Sequence, residues 1–210
     1  MGGMNMPIRR IAVVGGPCSG KTDIITMLAK MFVGQLLVVP EVSEALLRTV
    51  MPVPGKHLEC SPVWQRHHQR AICAVQQAAE EAWALAAEGT GMRVLLCDRG
   101  ILDGAAYWPG GAMPFCDEFD LDYQAVLDRY SMVIHLESIG VSHPDLFERL
   151  RANNGSSRFE TLEESQRLEA AVRQAWDDHP NRHIVQGTED IAAKVGIVQH
   201  FIEGQLSEGT

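Results

Sequence analysis

Residues 8–33 read IRRIAVVGGPCSGKTDIITMLAKMFV, and three kinds of segment follow one another in this stretch. Ile8–Val14 is a short run rich in β-branched residues, which is typical of a buried strand. Gly15–Thr22 matches the pattern G-x-x-x-x-G-K-S/T in full. Thr22–Val33 carries apolar side chains at helical spacing. The stretch therefore predicts a strand, a phosphate-binding loop (P-loop) and a helix in immediate succession.

The residue types in this loop suit the binding of a nucleoside triphosphate. Glycines let successive backbone N–H groups turn toward phosphate oxygens, and the N-terminus of the following helix adds its dipole. Lys21 places a positive charge near the β- and γ-phosphates, and the Thr22 hydroxyl can ligate Mg²⁺. With ATP and Mg²⁺ as the expected ligands, we assign nucleotide binding to Gly15, Gly16, Pro17, Cys18, Ser19, Gly20, Lys21 and Thr22.

Apolar runs of strand length alternate with helical patterns along the rest of the chain. After the first strand, further strands are predicted at Leu36–Val39, Arg93–Cys97, Met132–Leu136 and His183–Val185. Helices are predicted at Ser43–Val50, Ser61–Glu88, Asp120–Arg129, His143–Arg151, from Thr161 to about Asp177, and at Ile191–Ile202. Pro109–Pro114 is rich in glycine and proline and is predicted to be a loop. The alternation predicts an α/β fold with a largely parallel sheet, and the length suits a single domain over residues 1–210.

Composition and charge limit the classes of function. The chain has 27 Asp and Glu residues against 18 Lys and Arg, and this net charge of −9 disfavours a broad nucleic-acid-binding face. Its longest apolar runs are about four residues, whereas a transmembrane helix needs about 20. The five cysteines are widely spaced, without a CxxC pair, and are expected to be reduced thiols in a cytoplasmic protein. The sequence does not indicate an oligomeric state.

Two carboxylates follow predicted strands, at the sheet edge where functional groups gather in α/β folds. Glu41 follows the second strand, and Asp98 follows the third. Near a phosphate-binding loop, such a carboxylate can hold Mg²⁺ or accept a proton from the attacking hydroxyl group. The alternative for both residues is an exposed acid at a strand end or a helix cap. We expect Asp98 to serve the metal and Glu41 to face the phosphate acceptor.

The run DRGILDGAAY at residues 98–107 resembles the DRGxxDxxAY pattern of a family of P-loop, AAA-like ATPase and kinase domains. That family is related to the ribosylnicotinamide kinase domain of NadR and to the TRP-channel translocation-defect proteins of animals. The GGPCSGKT loop and PEVSE at residues 40–44 resemble the loop and the PEVAR-like segment of the family. Its R-x-E and A-W-x-x-H-P segments have counterparts at residues 158–160 and 175–180. The resemblance therefore spans most of the chain.

This resemblance implies a P-loop fold like that of nucleotide kinases. The implied fold is a three-layer sandwich around a parallel five-stranded sheet, with a mobile lid at about residues 143–160. Arg158 lies in the R-x-E segment, and its guanidinium is expected to contact the γ-phosphoryl group as negative charge spreads in the transition state. Arg99 is expected to act on the acceptor side. Arg149 and Arg151 are weaker candidates near Arg158, and ion pairing with neighbouring glutamates is the alternative interpretation for all three.

The sequence favours an enzyme, either an ATP-dependent small-molecule kinase or an ATPase. The leading hypothesis is transfer of the γ-phosphoryl group of ATP to a small acceptor, with nucleoside-like molecules as candidates. The animal relatives suggest an alternative. In it, the protein is a nucleotide-dependent switch or adaptor ATPase that binds a phosphoinositide or a protein partner.

Four aromatic or acidic side chains outside the loop carry further expectations. Asp103 and Tyr107 are four residues apart and are a candidate pair facing the substrate. The alternative is that Asp103 caps a helix and Tyr107 packs beneath it. Trp64 and Trp83 lie on the apolar stripe of the long predicted helix and are expected to pack in the core, with stacking on a ligand as the alternative.

Overall fold

The computed structural model describes residues 8–153 and 160–207, and within them a single sheet forms the centre of the molecule. Its strands are β1 Arg9–Val14, β2 Leu36–Val39, β3 Val94–Asp98, β4 Met132–Leu136 and β5 Arg182–Val185. They pair in the order β2-β3-β1-β4-β5, and each neighbouring pair is parallel. The predicted α/β fold with a parallel five-stranded sheet is confirmed.

Helices connect the strands and cover the sheet. In the described part of the chain they are α1 Lys21–Met31, α2 Val42–Thr49, α3 Pro62–Ala87, a 3-10 helix Ile101–Tyr107, α4 Ala112–Phe119, α5 Tyr123–Asp128, α6 Ile139–Ser142, α7 Pro144–Asn153, α8 Leu162–Ala175 and α9 Ile191–Ser207. Ser61 caps α3 by accepting a hydrogen bond from Trp64 N, and Thr161 with Glu164 forms both bonds of a capping box on α8. None of these described helices is both long enough and apolar enough to cross a membrane.

The sheet is buried on both faces, which makes the fold a three-layer sandwich. Successive side chains of a strand point to opposite faces. Ile11 and Val13 of β1 therefore pack with apolar residues of α1 and α9, whereas Ala12 and Val14 pack with those of the 3-10 helix and α8. Because both faces are covered, the strands are almost continuous apolar runs, and this made them recognisable in the sequence.

The structure differs from the sequence-based prediction around residues 109–119. Pro109–Pro114 is predicted to be a loop, but α4 begins inside it, at Ala112. Pro114 takes the third position of this helix, where a missing N–H removes no bond because the first four N–H groups of a helix lack an intrahelical acceptor. The next residue, Phe115, is fully buried and packs its ring edge-on against Trp108 and Phe119. Burial of this aromatic cluster stabilises a helix that the local composition does not indicate.

The predicted lid at residues 143–160 coincides in part with α7. Residues 154–159, which include Arg158, lie outside the described residues. Arg149 and Arg151 lie on α7, and each forms an ion pair with a glutamate, at 3.9 Å and 3.5 Å respectively. Both ion pairs are solvent-exposed, as the alternative interpretation of these two arginines expects.

Candidate functional site

The loop after β1 wraps around the side chain of Lys21, the first residue of α1. Lys21 Nζ donates hydrogen bonds to Gly15 O at 2.7 Å, to Gly16 O at 3.0 Å and to Ser19 Oγ at 2.9 Å. Burial, reinforced by repulsion from Arg99, lowers the pKa of the Lys21 ammonium group to about 8. The ammonium group is therefore held at the centre of the loop, where it can exchange these oxygens for those of a phosphate.

At two positions of the loop, Gly15 and Gly16, neighbouring atoms leave no room for a side chain. A Cβ atom on Gly15 would lie 2.1 Å from Leu136 O, and the residue has a φ of +143°. A Cβ atom on Gly16 would lie 2.8 Å from Glu169 Oε2 and 3.0 Å from Glu169 Cα. The general loop pattern accepts any residue at the position of Gly16. The requirement for glycine there comes from the close approach of α8, and is particular to this chain.

Side chains outside the motif hold the outer side of the loop. Glu169 Oε2 on α8 accepts a hydrogen bond from Gly16 N at 2.7 Å. Lys194 Nζ on α9 donates to Ser19 O at 3.0 Å, and the Ser138 hydroxyl donates to a further loop carbonyl group. The sequence gives no specific signal for these residues, because Glu169 and Lys194 are charged residues on predicted helices and Ser138 lies outside every predicted element. The one available sign was Lys194, the only Lys, Arg, Asp or Glu residue in the predicted helix Ile191–Ile202.

Strands β2 and β3 bring Glu41 and Asp98 to the same edge of the sheet as the loop. Asp98 is the last residue of β3, and Glu41 is the N-cap residue of α2. Asp98 is 7% exposed, and its Oδ1 atom has no hydrogen-bond partner among the described residues. Burial and the charge of Glu41 raise the pKa of Asp98 to about 6, although Lys21 and Arg99 oppose this shift. The two predicted carboxylates and the loop lysine therefore lie in one electrostatic cluster.

Thr22 and Asp98 are oxygen donors that suit Mg²⁺. Thr22 is exposed in the first turn of α1, and Asp98 has a buried carboxylate oxygen without a partner in the described structure. The described residues contain no group of three or more His, Cys, Asp or Glu side chains that would enclose a metal ion. Mg²⁺ needs no such enclosure, since it is usually bound by one or two protein ligands together with phosphates and water. The two predicted ligands fit this ion.

Arg99 lies between two carboxylates of the site, those of Glu41 and Asp103. It has a φ of +77°, and its Nε atom donates to Glu41 Oε1 at 2.8 Å. Its Nη1 atom lies 3.5 Å from Asp103 Oδ2, and Asp103 Oδ1 accepts a hydrogen bond from Trp176 Nε1 at 2.9 Å. The pKa of Asp103 is raised by burial despite the positive charge of Arg99. Residues from two separate segments of the family resemblance, Asp103 and Trp176, thus meet directly.

A cavity of about 190 Å³ opens beside Glu41 and Arg99. Its walls come from α3, the start of α2 and the 3-10 helix. The lining residues are Glu41, Val42, Ser43, Trp64, Gln65, His68, Gln69, Ile72, Gln76, Arg99, Gly100, Asp103, Gly104 and Tyr107. Asp103 and Tyr107 therefore line one cavity, and their role toward a substrate stays a prediction.

The position of Trp64 corrects the sequence-based prediction that it packs in the core. Trp64 lines the cavity, donates from Nε1 to Pro52 O at 3.1 Å and has its ring centroid 4.7 Å from that of His68. Trp83, predicted to be buried as well, is 37% exposed. The physical reason is the length of α3. At about 1.5 Å per residue this helix extends beyond the sheet that it covers, so part of its apolar stripe lies outside the core.

Comparison with known proteins identifies a family for this chain and finds solved structures with a similar fold. A family model described as AAA domain matches residues 10–194. The structure of deoxyadenosine kinase from M. mycoides with dCMP and dCDP bound matches with a TM-score of 0.56, at 14% identity, over 93% of this chain and 99% of that chain. The structure of the same kinase with bound dCTP gives a TM-score of 0.59 with equal identity and coverage. No curated protein matches this chain.

At 14% identity, the likeness to these structures establishes the fold. It confirms the predicted P-loop fold of the nucleotide-kinase type, and both comparisons agree with the predicted class of an ATP-dependent kinase or ATPase.

Proposed function

This chain belongs to the AAA domain family, and from that premise we propose that it is an ATP-dependent phosphotransferase acting on a small, nucleoside-like acceptor. One observation carries the proposal. Glu41 and Arg99 line the cavity, and the charges of these two residues also act on the pKa of Lys21 in the phosphate-binding loop and on that of Asp98. A triphosphate on the loop and an acceptor in the cavity would place a hydroxyl group near the γ-phosphorus.

In the proposed reaction, the loop N–H groups and Lys21 bind the β- and γ-phosphates of ATP. Thr22 and Asp98 would hold Mg²⁺, which neutralises charge on these phosphates when bound. The acceptor hydroxyl oxygen bonds to the γ-phosphorus while the bond between that phosphorus and the β,γ-bridging oxygen breaks, and ADP leaves. Glu41 accepts the hydroxyl proton. Arg99 orients Glu41 for this step through the 2.8 Å bond between Nε and Oε1.

The charge of the cavity supports an uncharged acceptor. Among the described lining residues, Arg99 is the one side chain with a permanent positive charge, and it already pairs with Glu41 and Asp103. Burial lowers the pKa of His68, so its ring is neutral at neutral pH. A phosphorylated acceptor would face these carboxylates without an unpaired cation, which is unfavourable. A nucleoside fits the cavity charge better than a nucleotide.

Aromatic and amide side chains support a heterocyclic acceptor. Trp64 and Tyr107 line the cavity and offer ring surfaces. Gln69 Oε1 is buried there without a hydrogen-bond partner in the described structure, and a buried polar atom of this kind calls for a donor from a ligand or water. The structural neighbour is named a deoxyadenosine kinase and was solved with deoxycytidine nucleotides, which also favours a nucleoside acceptor for this chain.

Three finer parts of the proposal depend on the sequence. The relationship to the ribosylnicotinamide kinase domain of NadR and to the TRP-channel translocation-defect proteins rests on the motifs alone. The contact of Arg158 with the γ-phosphoryl group stays a prediction. The cytoplasmic location is supported by the five cysteines, which are widely spaced along the sequence without a CxxC pair.

Release of ADP from MgATP, measured with a panel of nucleosides and their 5′-monophosphates, tests the proposal. We expect ADP release that depends on at least one uncharged nucleoside, and no stimulation by the monophosphates. Tight nucleotide binding with negligible turnover for every acceptor would contradict the kinase. That result would favour the nucleotide-dependent switch or adaptor.

A further inference from the structure

Glu80 is a fully buried carboxylate in the C-terminal half of α3, outside the lining of the acceptor cavity. Its Oε1 atom accepts hydrogen bonds from Gln76 Nε2 at 2.9 Å and from the Tyr130 hydroxyl at 2.8 Å. Its Oε2 atom pairs with the guanidinium groups of Arg129 and Arg10, the second at 3.8 Å. The carboxylate therefore receives two neutral donors on one oxygen and two cations on the other.

Both neutral partners of Glu80, Gln76 and Tyr130, also form hydrogen bonds to the turn that follows β3. Gln76 Nε2 also donates to Arg99 O at 3.3 Å. The Tyr130 hydroxyl oxygen accepts a hydrogen bond from Ile101 N at 3.1 Å while its proton goes to Glu80. Two backbone groups of the turn, on either side of Gly100, are thus held by side chains that meet at a single carboxylate oxygen.

This turn needs such support because its conformation is strained and crowded. Arg99 has a φ of +77°, a left-handed conformation that residues with side chains rarely adopt. A Cβ atom on Gly100 would lie 2.4 Å from the ring of Trp176, so the chain passes close to that ring. The turn fixes the direction of the Arg99 side chain, and this side chain holds Glu41 at 2.8 Å.

We infer that Glu80 is a positioning residue for phosphoryl transfer, acting through Gln76 and Tyr130 on the Arg99 turn and so on Glu41. Glu80 itself touches neither substrate. The kinetic part of this inference rests on the proposed function, since it takes Glu41 as the proton acceptor. The structural part, that Glu80 determines where Arg99 points, is independent of any activity.

The neighbouring residue provides a matched control. Glu81 pairs with the same two arginines, Arg10 at 3.0 Å and Arg129 at 2.9 Å, but its side chain is 62% exposed. Within the described structure, its side chain makes no hydrogen bond to Gln76 or Tyr130. Glu80→Gln and Glu81→Gln therefore remove the same charge from the same arginine pair, and only Glu80→Gln weakens the support of the turn.

The first measurement is steady-state kinetics of both variants. We expect Glu80→Gln to lower kcat by about 10-fold to 100-fold, as for a small misplacement of a reacting group, with MgATP affinity within about twofold of the wild type. Glu81→Gln should keep the wild-type kcat. If Glu80 only stabilised the fold, the two variants could differ in unfolding temperature but not in kcat.

The second measurement needs no substrate. The Nε–H resonance of Arg99 is assigned in ¹⁵N NMR spectra by its loss in Arg99→Lys, and it reports the bond to Glu41. We expect Glu80→Gln to shift or broaden this resonance and Glu81→Gln to leave it unchanged. If the wild type shows no acceptor-dependent turnover, the proposed function fails, and the resonance still decides the role of Glu80.

Equal behaviour of the two variants in both measurements would overturn the inference. If Glu80→Gln does not fold, Tyr130→Phe takes its place, because it keeps the ring and the Glu80 charge but removes the bridge to Ile101 N. We expect it to lower kcat and to shift the Arg99 resonance. An unchanged kcat and an unchanged resonance in Tyr130→Phe would equally refute the role of Glu80.

Discussion

Replacing Asp98 by Asn should stabilise the nucleotide-free protein at neutral pH while impairing its use of Mg²⁺. Asp98 is 7% exposed, and its Oδ1 atom lacks a hydrogen-bond partner among the described residues. Burial and the nearby charge of Glu41 raise its pKa from 3.8 to about 6. The folded protein without ligand therefore holds a carboxylate that is unfavourable when ionised. An asparagine side chain has almost the same shape and cannot ionise.

The magnitude follows from the change in pKa between the unfolded and folded states. A rise of about 2 pH units corresponds to about 3 kcal/mol in the free energy of unfolding. Between about pH 4 and pH 6 the folded state binds more protons than the unfolded state. The contribution of Asp98 to the free energy of unfolding is therefore present in full below about pH 4 and is lost as the pH rises through 6. The advantage of Asp98→Asn should therefore grow over this range and then remain constant.

Urea unfolding of the wild type and of Asp98→Asn, without nucleotide or metal, measures this difference at several pH values. The exposed Asp23 of α1 offers a control, Asp23→Asn, which makes the same chemical change at an exposed position. A gap between wild type and Asp98→Asn that does not change between about pH 4 and pH 8 would refute the reasoning. Addition of a non-hydrolysable ATP analogue with Mg²⁺ should reverse the order, because only the wild type offers a carboxylate to the metal.

Three further predictions concern the loop and the acceptor side. Lys21→Ala should stay folded but lose about 1.5–3 kcal/mol or more of ATP-binding free energy in calorimetric titration, and unchanged affinity would contradict the loop assignment. Glu41→Gln should bind ATP normally and turn over about 10²-fold to 10⁴-fold more slowly. The control Glu44→Gln, at an exposed position, should behave as the wild type. Normal turnover of Glu41→Gln would exclude Glu41 as the base. Bound ATP should slow the alkylation of Cys18 but not that of the exposed Cys60, as measured by mass spectrometry, and equal rates at Cys18 with and without ATP would argue against phosphates covering the loop.

The features that the sequence predicted correctly depend on local patterns. The strands are short apolar runs because both faces of the sheet are buried, and α3 and α8 begin at caps that need only neighbouring residues, Ser61 and Thr161. The loop was recognisable for the same reason, since its eight residues are contiguous. The positions of Glu41 and Asp98 followed from the rule that parallel strands end at one edge of the sheet, whereas their roles stay predictions.

The features that the sequence could not provide depend on contacts between distant segments. Glu169 reaches Gly16 over a separation of 153 residues, and Lys194 reaches Ser19 over 175. Strand order, the cavity wall formed by α3 and the start of α4 inside a Gly- and Pro-rich segment are likewise results of packing. Trp64 illustrates the limit most clearly, because its place on an apolar stripe indicated burial but not whether a core or a cavity would receive it.

In the proposed reaction, the γ-phosphoryl group of ATP passes to an uncharged acceptor in the cavity beside Glu41. Phosphorus NMR of a reaction with MgATP and an uncharged nucleoside that stimulates ADP release detects this transfer. We predict one new phosphomonoester for each ADP formed, without accumulation of inorganic phosphate. Inorganic phosphate as the sole product, formed at a rate that does not depend on the acceptor, would contradict the proposed transfer.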